Sequence, residues 1–323
     1  MNGWDPTRMV DERLAGVTKY FLAPQDDLDM RVSDEVLKCV VFLGTGKNEA
    51  GKDHFRYGGT GFIVGVKSVV HTNIHYLYLV TAKHVVIGAE KEGELVIRAN
   101  TKDGKYILFS AKNAPWIYPS DTTVDVAVCQ FSPPATLDYK SIPAEMFLSD
   151  ERIRADNIGV GSEVHISGLF TQHQGQSKNL PIVRTGNVAM MSDEPIKTTG
   201  PFGNMEAYLI EGRSIGGLSG SPVFATNLIF NRIPPQYKMH LMGLIYGHWD
   251  MNQDASDFSS GQTEEDAAKS GRIHSGIAIV VPAKKILETL NCDALLKNRE
   301  EWDKKKTEET SPTMDSKNPS PQK

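Results

Sequence analysis

The sequence predicts an all-β chain made of two consecutive sets of antiparallel strands, each closed as a barrel or stacked as a sandwich. Three observations carry this expectation. Short runs rich in Val, Ile, Tyr and Phe recur between residues 36 and 290, each bounded by Gly, Asn, Asp or Pro. They fall into two groups of about six, on either side of an irregular Pro-containing stretch at 133–157. Little helical periodicity intervenes, which argues against a parallel sheet whose strands alternate with crossover helices.

Taken in order, residues 1–35 form an N-terminal extension in which Val10, Leu14, Val17 and Phe21 share one helical face, so a short helix outside the main body is expected. The first set of strands, within 36–150, comprises Val36 to Leu43, Thr60 to Val66, Tyr76 to Thr81, Glu94 to Arg98, Tyr106 to Ser110 and Asp125 to Phe131. The second, within 151–297, comprises Glu163 to Ser167, Pro181 to Met190, Glu206 to Ile210, Ser221 to Ala225, His240 to Tyr246 and Gly276 to Val281. Ala283 to Leu290 reads as a closing helix. From 298 to 323 the chain is charged and then rich in Ser, Pro, Lys and Thr, with Trp302 its only aromatic. Such a segment buries too little apolar area to offset chain entropy, so a disordered tail is expected there.

Composition excludes several classes. With 323 residues, 40% hydrophobic and 23% charged, the chain is long enough for a sizeable core and typical of globular proteins. A net charge of −5 without a basic stripe argues against nucleic acid as a partner. The longest apolar runs, Tyr76 to Ala82 and Ile277 to Ala283, are far shorter than the roughly 20 residues that span a bilayer, so no membrane partner is expected. Asp5, Asp11 and Glu12 stand where an export signal needs a basic flank and an apolar run, and the expected location is cytoplasmic. Cys39, Cys129 and Cys292 are widely spaced and read as reduced residues, in keeping with that compartment.

The most informative stretch is Gly216-Gly217-Leu218-Ser219-Gly220-Ser221-Pro222-Val223-Phe224, a serine in a glycine-rich turn leading into an apolar strand. Small neighbours let the backbone bend so that amide N–H groups face the space beside the hydroxyl, as an oxyanion requires. A serine hydroxyl is a weak nucleophile until a base takes its proton, so a histidine held by a carboxylate is needed. His84 follows the apolar run Tyr76 to Val80, at what reads as the edge of a core strand, and Asp125 opens Asp125-Val126-Ala127-Val128. Each residue alone has an ordinary reading: a turn serine, a strand-end histidine, a strand-capping acid. The three together point to nucleophilic catalysis.

These motifs resemble the trypsin-like (chymotrypsin-fold) serine protease superfamily, nearest its Deg-like, high-temperature-requirement branch and the bacterial stand-alone trypsin-like peptidases. The order His, Asp, Ser, at separations of 41 and 94 residues, compares with about 45 and about 93 in the chymotrypsin template. Gly58-Gly59-Thr60-Gly61-Phe62-Ile63-Val64 resembles the family's first-barrel glycine strand and Thr81-Ala82-Lys83-His84-Val85 its general-base motif. Asp125-Val126-Ala127-Val128 resembles its aspartate motif, Gly217 to Pro222 its nucleophile loop, and Gly276 to Pro282 its last strand. The resemblance implies two perpendicular six-stranded barrels with His84, Asp125 and Ser219 in the cleft between them, and an oxyanion hole formed by the amides of Gly217 and Ser219. It also implies a substrate pocket based on Arg213 and walled by Tyr246, His248 and Gly276, whose two basic side chains would favour an acidic substrate residue.

Two residues depart from the family pattern: Leu218 stands where Asp or Asn usually precedes the nucleophile, and Ser221 where a second Gly is frequent. Zymogen-type activation by a new N-terminus paired to that acid is therefore not expected. Leu218 packing into the second barrel is left as the means of ordering the loop. A rival GxSxG elbow, Gly212-Arg213-Ser214-Ile215-Gly216, lacks a following helix and a downstream acid and histidine in the right setting. His71 and His75, four apart, read as a solvated loop rather than a metal pair, and neither metal nor cofactor is expected. The leading functional expectation is a serine endopeptidase acting on a polypeptide substrate through an acyl-enzyme. The alternative is a catalytically silent protease-fold module that binds peptides. A cytoplasmic protease without a propeptide needs restraint, so a narrow cleft or a regulatory protein partner is expected as well.

Overall fold

The computed structural model describes residues 10–11, 32–49, 52–198, 202–212, 216–229, 236–252 and 272–310. The chain is mostly β, with short helices at the junctions. In the first half the strands are β1 (Val10–Asp11), β2 (Val40–Glu49), β3 (Lys52–Lys67), β4 (His75–Thr81), β5 (Glu94–Asn100), β6 (Tyr106–Ser110), β7 (Ala127–Gln130) and β8 (Ile142–Pro143). They form one eight-stranded sheet in the order β1-β4-β3-β2-β5-β6, with β7 on β4 and β8 parallel to β3. The second half contributes β9 (Glu163–Gly168), β10 (Ile182–Met191), the short pair β11 (Ile196–Lys197) and β12 (Asn204–Met205), then β13 (Tyr208–Glu211), β14 (Pro222–Ile229), β15 (Gln236–Asn252) and β16 (Arg272–Pro282). Six of these close a barrel in the order β10-β13-β16-β15-β14-β9.

Three large apolar cores follow from strand alternation, beside a small cluster of Val40, Phe42 and Leu169. Leu43, Ile63, Leu77, Leu79, Leu95, Ile97 and Phe109 fill the inside of the first sheet. Val164, Ile166, Ile210, Val223, Met242 and Val280 fill the closed barrel. The other face of the first sheet, with Phe62, Val64, Tyr76, Tyr78, Val80, Val126 and Val128, packs against Phe224, Leu241, Leu244, Ile279 and Val281 of the second half. β4 belongs to two of these cores, and all seven of its residues are buried. That is why Tyr76 to Val80 reads as a continuous apolar run instead of an alternating one.

The two-barrel expectation is met in part. One six-stranded barrel closes; the first half is an eight-stranded sheet whose path does not close among the described residues. Each expected strand has a counterpart; Tyr106 to Ser110 keeps its expected bounds and the others have one or both ends displaced. Val36 lies not in a strand but in helix α1 (Asp34–Lys38), where Ser33 accepts from the Glu35 amide at the N-terminus and Val36 is buried. The expected helix over Val10 to Phe21 does not include Val10, which pairs with Tyr76 in antiparallel register; Leu14, Val17 and Phe21 lie outside the described residues. His84 is not at a strand edge. It occupies the first turn of helix α2 (Lys83–Glu92), which starts once β4 ends at Thr81. His75 likewise lies in no solvated loop but opens β4 and is buried.

Helix α3 (Asp150–Ala155) precedes the barrel, and α4 (Ala283–Leu290) closes it as expected, burying Ile286 and Leu290. The tail expectation is corrected for residues 298–310, which belong to helix α5 (Asp293–Thr310); 311–323 lie outside the described residues. The helix escaped a compositional reading because polar side chains anchor it. Asp303 accepts from Tyr76 Oη at 2.5 Å and Ser68 Oγ at 2.8 Å. Arg299 donates to Tyr78 Oη, to the Leu290 carbonyl and to Asn291 Oδ1 at 2.8–3.0 Å. Trp302 meets Tyr76 edge to face at 5.8 Å. Among the described residues no helix is long and apolar enough to cross a membrane.

Candidate active site

Asp125 follows the Asp121–Thr123 turn and precedes β7, and its carboxylate is fully buried. Both of its oxygens are engaged by one residue: Oδ2 accepts from His84 Nδ1 at 2.6 Å, and Oδ1 accepts from the His84 main-chain N–H at 2.9 Å. A carboxylate can only accept, so Nδ1 carries a proton, and in the neutral ring the lone pair is then on Nε2. The His84 side chain is about a third exposed, whereas that of Asp125 is wholly buried.

Ser219 lies in the turn between β13 and β14. Its two flanking glycines have positive φ, 97° at Gly217 and 81° at Gly220. At Gly220 a Cβ would sit 2.3 Å from the Thr60 carbonyl oxygen and from Thr81 Oγ1, so backbone conformation and space both require glycine. Leu218, between them, is fully buried in the barrel core. An apolar anchor therefore occupies the position directly before Ser219. Ser221 is accommodated by Gly168, where a Cβ would lie 2.0 Å from its Oγ.

Thr60 ties this loop to the first sheet. Its amide donates to the Ser219 carbonyl at 2.9 Å, its hydroxyl donates to the Gly217 carbonyl at 2.7 Å, and the same hydroxyl accepts from the Leu169 amide at 3.0 Å. The Gly216 carbonyl receives the Thr171 hydroxyl at 3.5 Å. In a trans peptide that turns the Gly217 N–H the opposite way. Among the described residues the amides of Gly217 and Ser219 have no hydrogen-bond acceptor, whereas those of Gly220 and Ser221 are bonded to the carbonyls of Ile245 and Leu218.

The structure therefore joins His84 to Asp125, but it does not join Ser219 to His84 by a hydrogen bond. The Ser219 hydroxyl donates instead to the Tyr246 carbonyl at 3.3 Å. Tyr246 links the two, since its ring meets the His84 ring edge to face at 5.7 Å. Phe202 packs edge-on against Tyr246 at 5.8 Å, and Lys83 Nζ lies 6.0 Å from the Phe202 ring centre. Of the expected pocket residues, Tyr246 and His248 lie on β15, with His248 paired to Ala278 of β16. Gly276, at φ 80°, falls in the adjacent register shift and accepts the Gly212 amide at 2.8 Å. Arg213 lies outside the described residues. Thr60 and Phe202 were not singled out in the sequence. Thr60 stands in the quoted glycine motif as the one residue there with a side-chain hydrogen bond to offer, while Phe202 carries no local signal.

No protein-family model and no curated protein matches the chain. Among solved structures it is similar to the MamO protease domain from Magnetospirillum magneticum, with 17% identity, a TM-score of 0.47, and coverage of 79% of this chain and 96% of that one. It is also similar to the Rv3671c protease from M. tuberculosis in its active form, with 17% identity, a TM-score of 0.41, and coverage of 79% and 80%.

Proposed function

We propose that the chain is a serine endopeptidase of the trypsin-like type, with its nearest likeness in the Deg-like branch by the motifs quoted above. The observation that carries this reading is the buried Asp125 carboxylate holding His84 through both ring and main chain, beside a Ser219 loop whose Gly217 and Ser219 amides are free to receive an anion. On this reading Ser219 turns about χ1 from the Tyr246 carbonyl to His84 Nε2, a change between staggered rotamers. The hydroxyl oxygen then attacks the peptide carbonyl as its proton passes to Nε2. Charge on the carbonyl oxygen is met by the two amides. The C–N bond breaks as His84 returns the proton to the leaving amine, and water drawn through the same imidazole hydrolyses the ester. Asp125 keeps the imidazolium oriented throughout.

A fluorophosphonate probe tests the reading. The parent should be labelled, and folded Ser219→Ala and His84→Ala should not. A parent that folds and stays unlabelled overturns it. The bond from the Ser219 hydroxyl to Tyr246 favours one second reading, a silent module that binds peptides; it would appear as peptide binding by an unlabelled parent. The preference for acidic side chains at Arg213 and His248 is part of the proposal. It fails if peptides ending in Glu or Asp are cut no better than those ending in Arg or Leu.

A further inference from the structure

Arg98, on β5, is 3% exposed, yet among the described residues its hydrogen bonds go to main-chain carbonyls and not to a carboxylate. Nη1 donates to the Gln174 carbonyl at 3.2 Å, and Nη2 donates to the carbonyls of Gly175 at 2.8 Å and Gln176 at 3.2 Å. The guanidinium lies 3.9 Å from the centre of the Tyr106 ring and 5.7 Å from that of Tyr57. A buried cation without an opposite charge is costly unless its donors are satisfied. Here the planar fork and its stacking face are both used, in a way that lysine cannot reproduce.

The three carbonyls belong to the loop between β9 and β10, residues 169–181. Gly175 shapes it at φ 89°, where a Cβ would lie 2.1 Å from the Lys178 carbonyl oxygen. Two positions along β5, Asn100 holds the same loop in a reciprocal pair. Its Nδ2 donates to the Asn179 carbonyl at 3.1 Å and its Oδ1 accepts the Asn179 amide at 2.6 Å. The far end of the loop abuts the nucleophile turn. Leu169 is bonded to Thr60, which holds the Gly217 carbonyl, and Thr171 is bonded to the Gly216 carbonyl. A Cβ at Gly217 would meet Thr171 at 2.8 Å and Leu169 at 3.1 Å.

We infer that Arg98 is a positioning residue: through loop 169–181 it fixes the Gly216–Gly217 peptide so that the Gly217 amide is presented to the oxyanion. The inference rests on the proposed peptidase activity and adds to it the first-half side chain that keeps the second-half loop competent. Arg98 touches neither the substrate nor the reacting atoms. Its loss should lower turnover and leave substrate binding nearly intact.

The test uses full-length Arg98→Ala, Arg98→Lys and Asn100→Ala, with fluorophosphonate labelling rates, kcat and KM on a peptide ester, and hydrogen exchange of residues 169–181 and 216–220. Arg98→Ala should lose about 10- to 100-fold in kcat and labelling rate, part of the loss seen when an oxyanion donor is removed, with KM changed less than about twofold. Arg98→Lys should not restore the rate, and added guanidinium should restore Arg98→Ala where methylammonium does not. If Arg98→Ala fails to fold, Asn100→Ala releases the same loop more mildly and should show a smaller loss of the same kind. Labelling within about twofold of the parent, in a folded variant whose loop exchanges faster, would overturn the inference and leave the peptidase reading standing. If the parent itself is unlabelled, the peptidase reading fails alone. The positioning link is then judged by exchange at 216–220, which should quicken in Arg98→Ala and would contradict the link if unchanged.

Discussion

Replacing Asp125 by Asn removes one charge and almost no volume, so its effect isolates what the carboxylate does. Both oxygens of Asp125 accept from His84, at 2.6 Å from the ring and 2.9 Å from the main chain. An amide has one oxygen to offer. If that oxygen stays on the main-chain N–H, the NH2 group faces Nδ1 and drives the ring proton to Nε2, where the nitrogen can no longer take a proton from Ser219. If the amide turns the other way, NH2 faces N–H in a site with no exposure, and a buried donor goes unsatisfied. On the proposed mechanism either outcome costs catalysis more than fold. The tautomer argument sets the loss at about 10⁴ in acylation rate, or about 5.4 kcal/mol at 1.36 kcal/mol per decade. The assay is the second-order rate of fluorophosphonate labelling at pH 7.5, with circular dichroism to show that the variant is folded. A folded Asp125→Asn labelled within tenfold of the parent would refute the reasoning.

Further expectations concern the scaffold. Burial holds the imidazoles of His75, His165 and His240 below the ordinary histidine value. The unfolded chain therefore binds more protons than the native one, and stability should fall as pH drops below about 6.5; a melting series from pH 8 to 5 should show this slope reduced in His165→Gln, and an unchanged slope would contradict it. Asp303→Ala strips the acceptor from Tyr76 and Ser68 and should cost about 3 kcal/mol in urea unfolding, against less than about 0.5 kcal/mol if the α5 anchor is dispensable. Burial raises the thiol pKa of Cys39 and Cys129, so a thiol reagent should modify the partly exposed Cys292 first and reach the other two only on unfolding.

What could be read from the sequence, and what could not, divides along physical lines. Strands with buried faces announce themselves through Val, Ile, Tyr and Phe between turn residues, and β4 is plain because both its faces are buried. The Asp125–His84 pairing was legible because each residue sits beside an apolar run whose strand brings it to the same place. The helix under His84 was not, since Lys83 to Glu92 buries only Val86 and leaves little periodicity to detect. Helix α5 was missed for a related reason: its anchors are Arg299 and Asp303, charged residues that read as solvent-facing until their partners are seen. Closure of the first sheet was overreached, because a count of six strands fixes neither the register nor the edge to which β1 and β8 attach. The Tyr246 carbonyl that receives the Ser219 hydroxyl is main chain, and no side-chain pattern could reveal it.

The central claim is that the Ser219 oxygen becomes covalently acylated during turnover. Acid-quenching the protein within milliseconds of mixing with a slowly deacylating peptide ester, followed by intact-mass and fragment analysis, measures this directly. The account predicts one added acyl group, carried by Ser219 and absent from His84→Ala. Turnover with no acyl adduct, or with the adduct on Ser214 or Ser221, would contradict it.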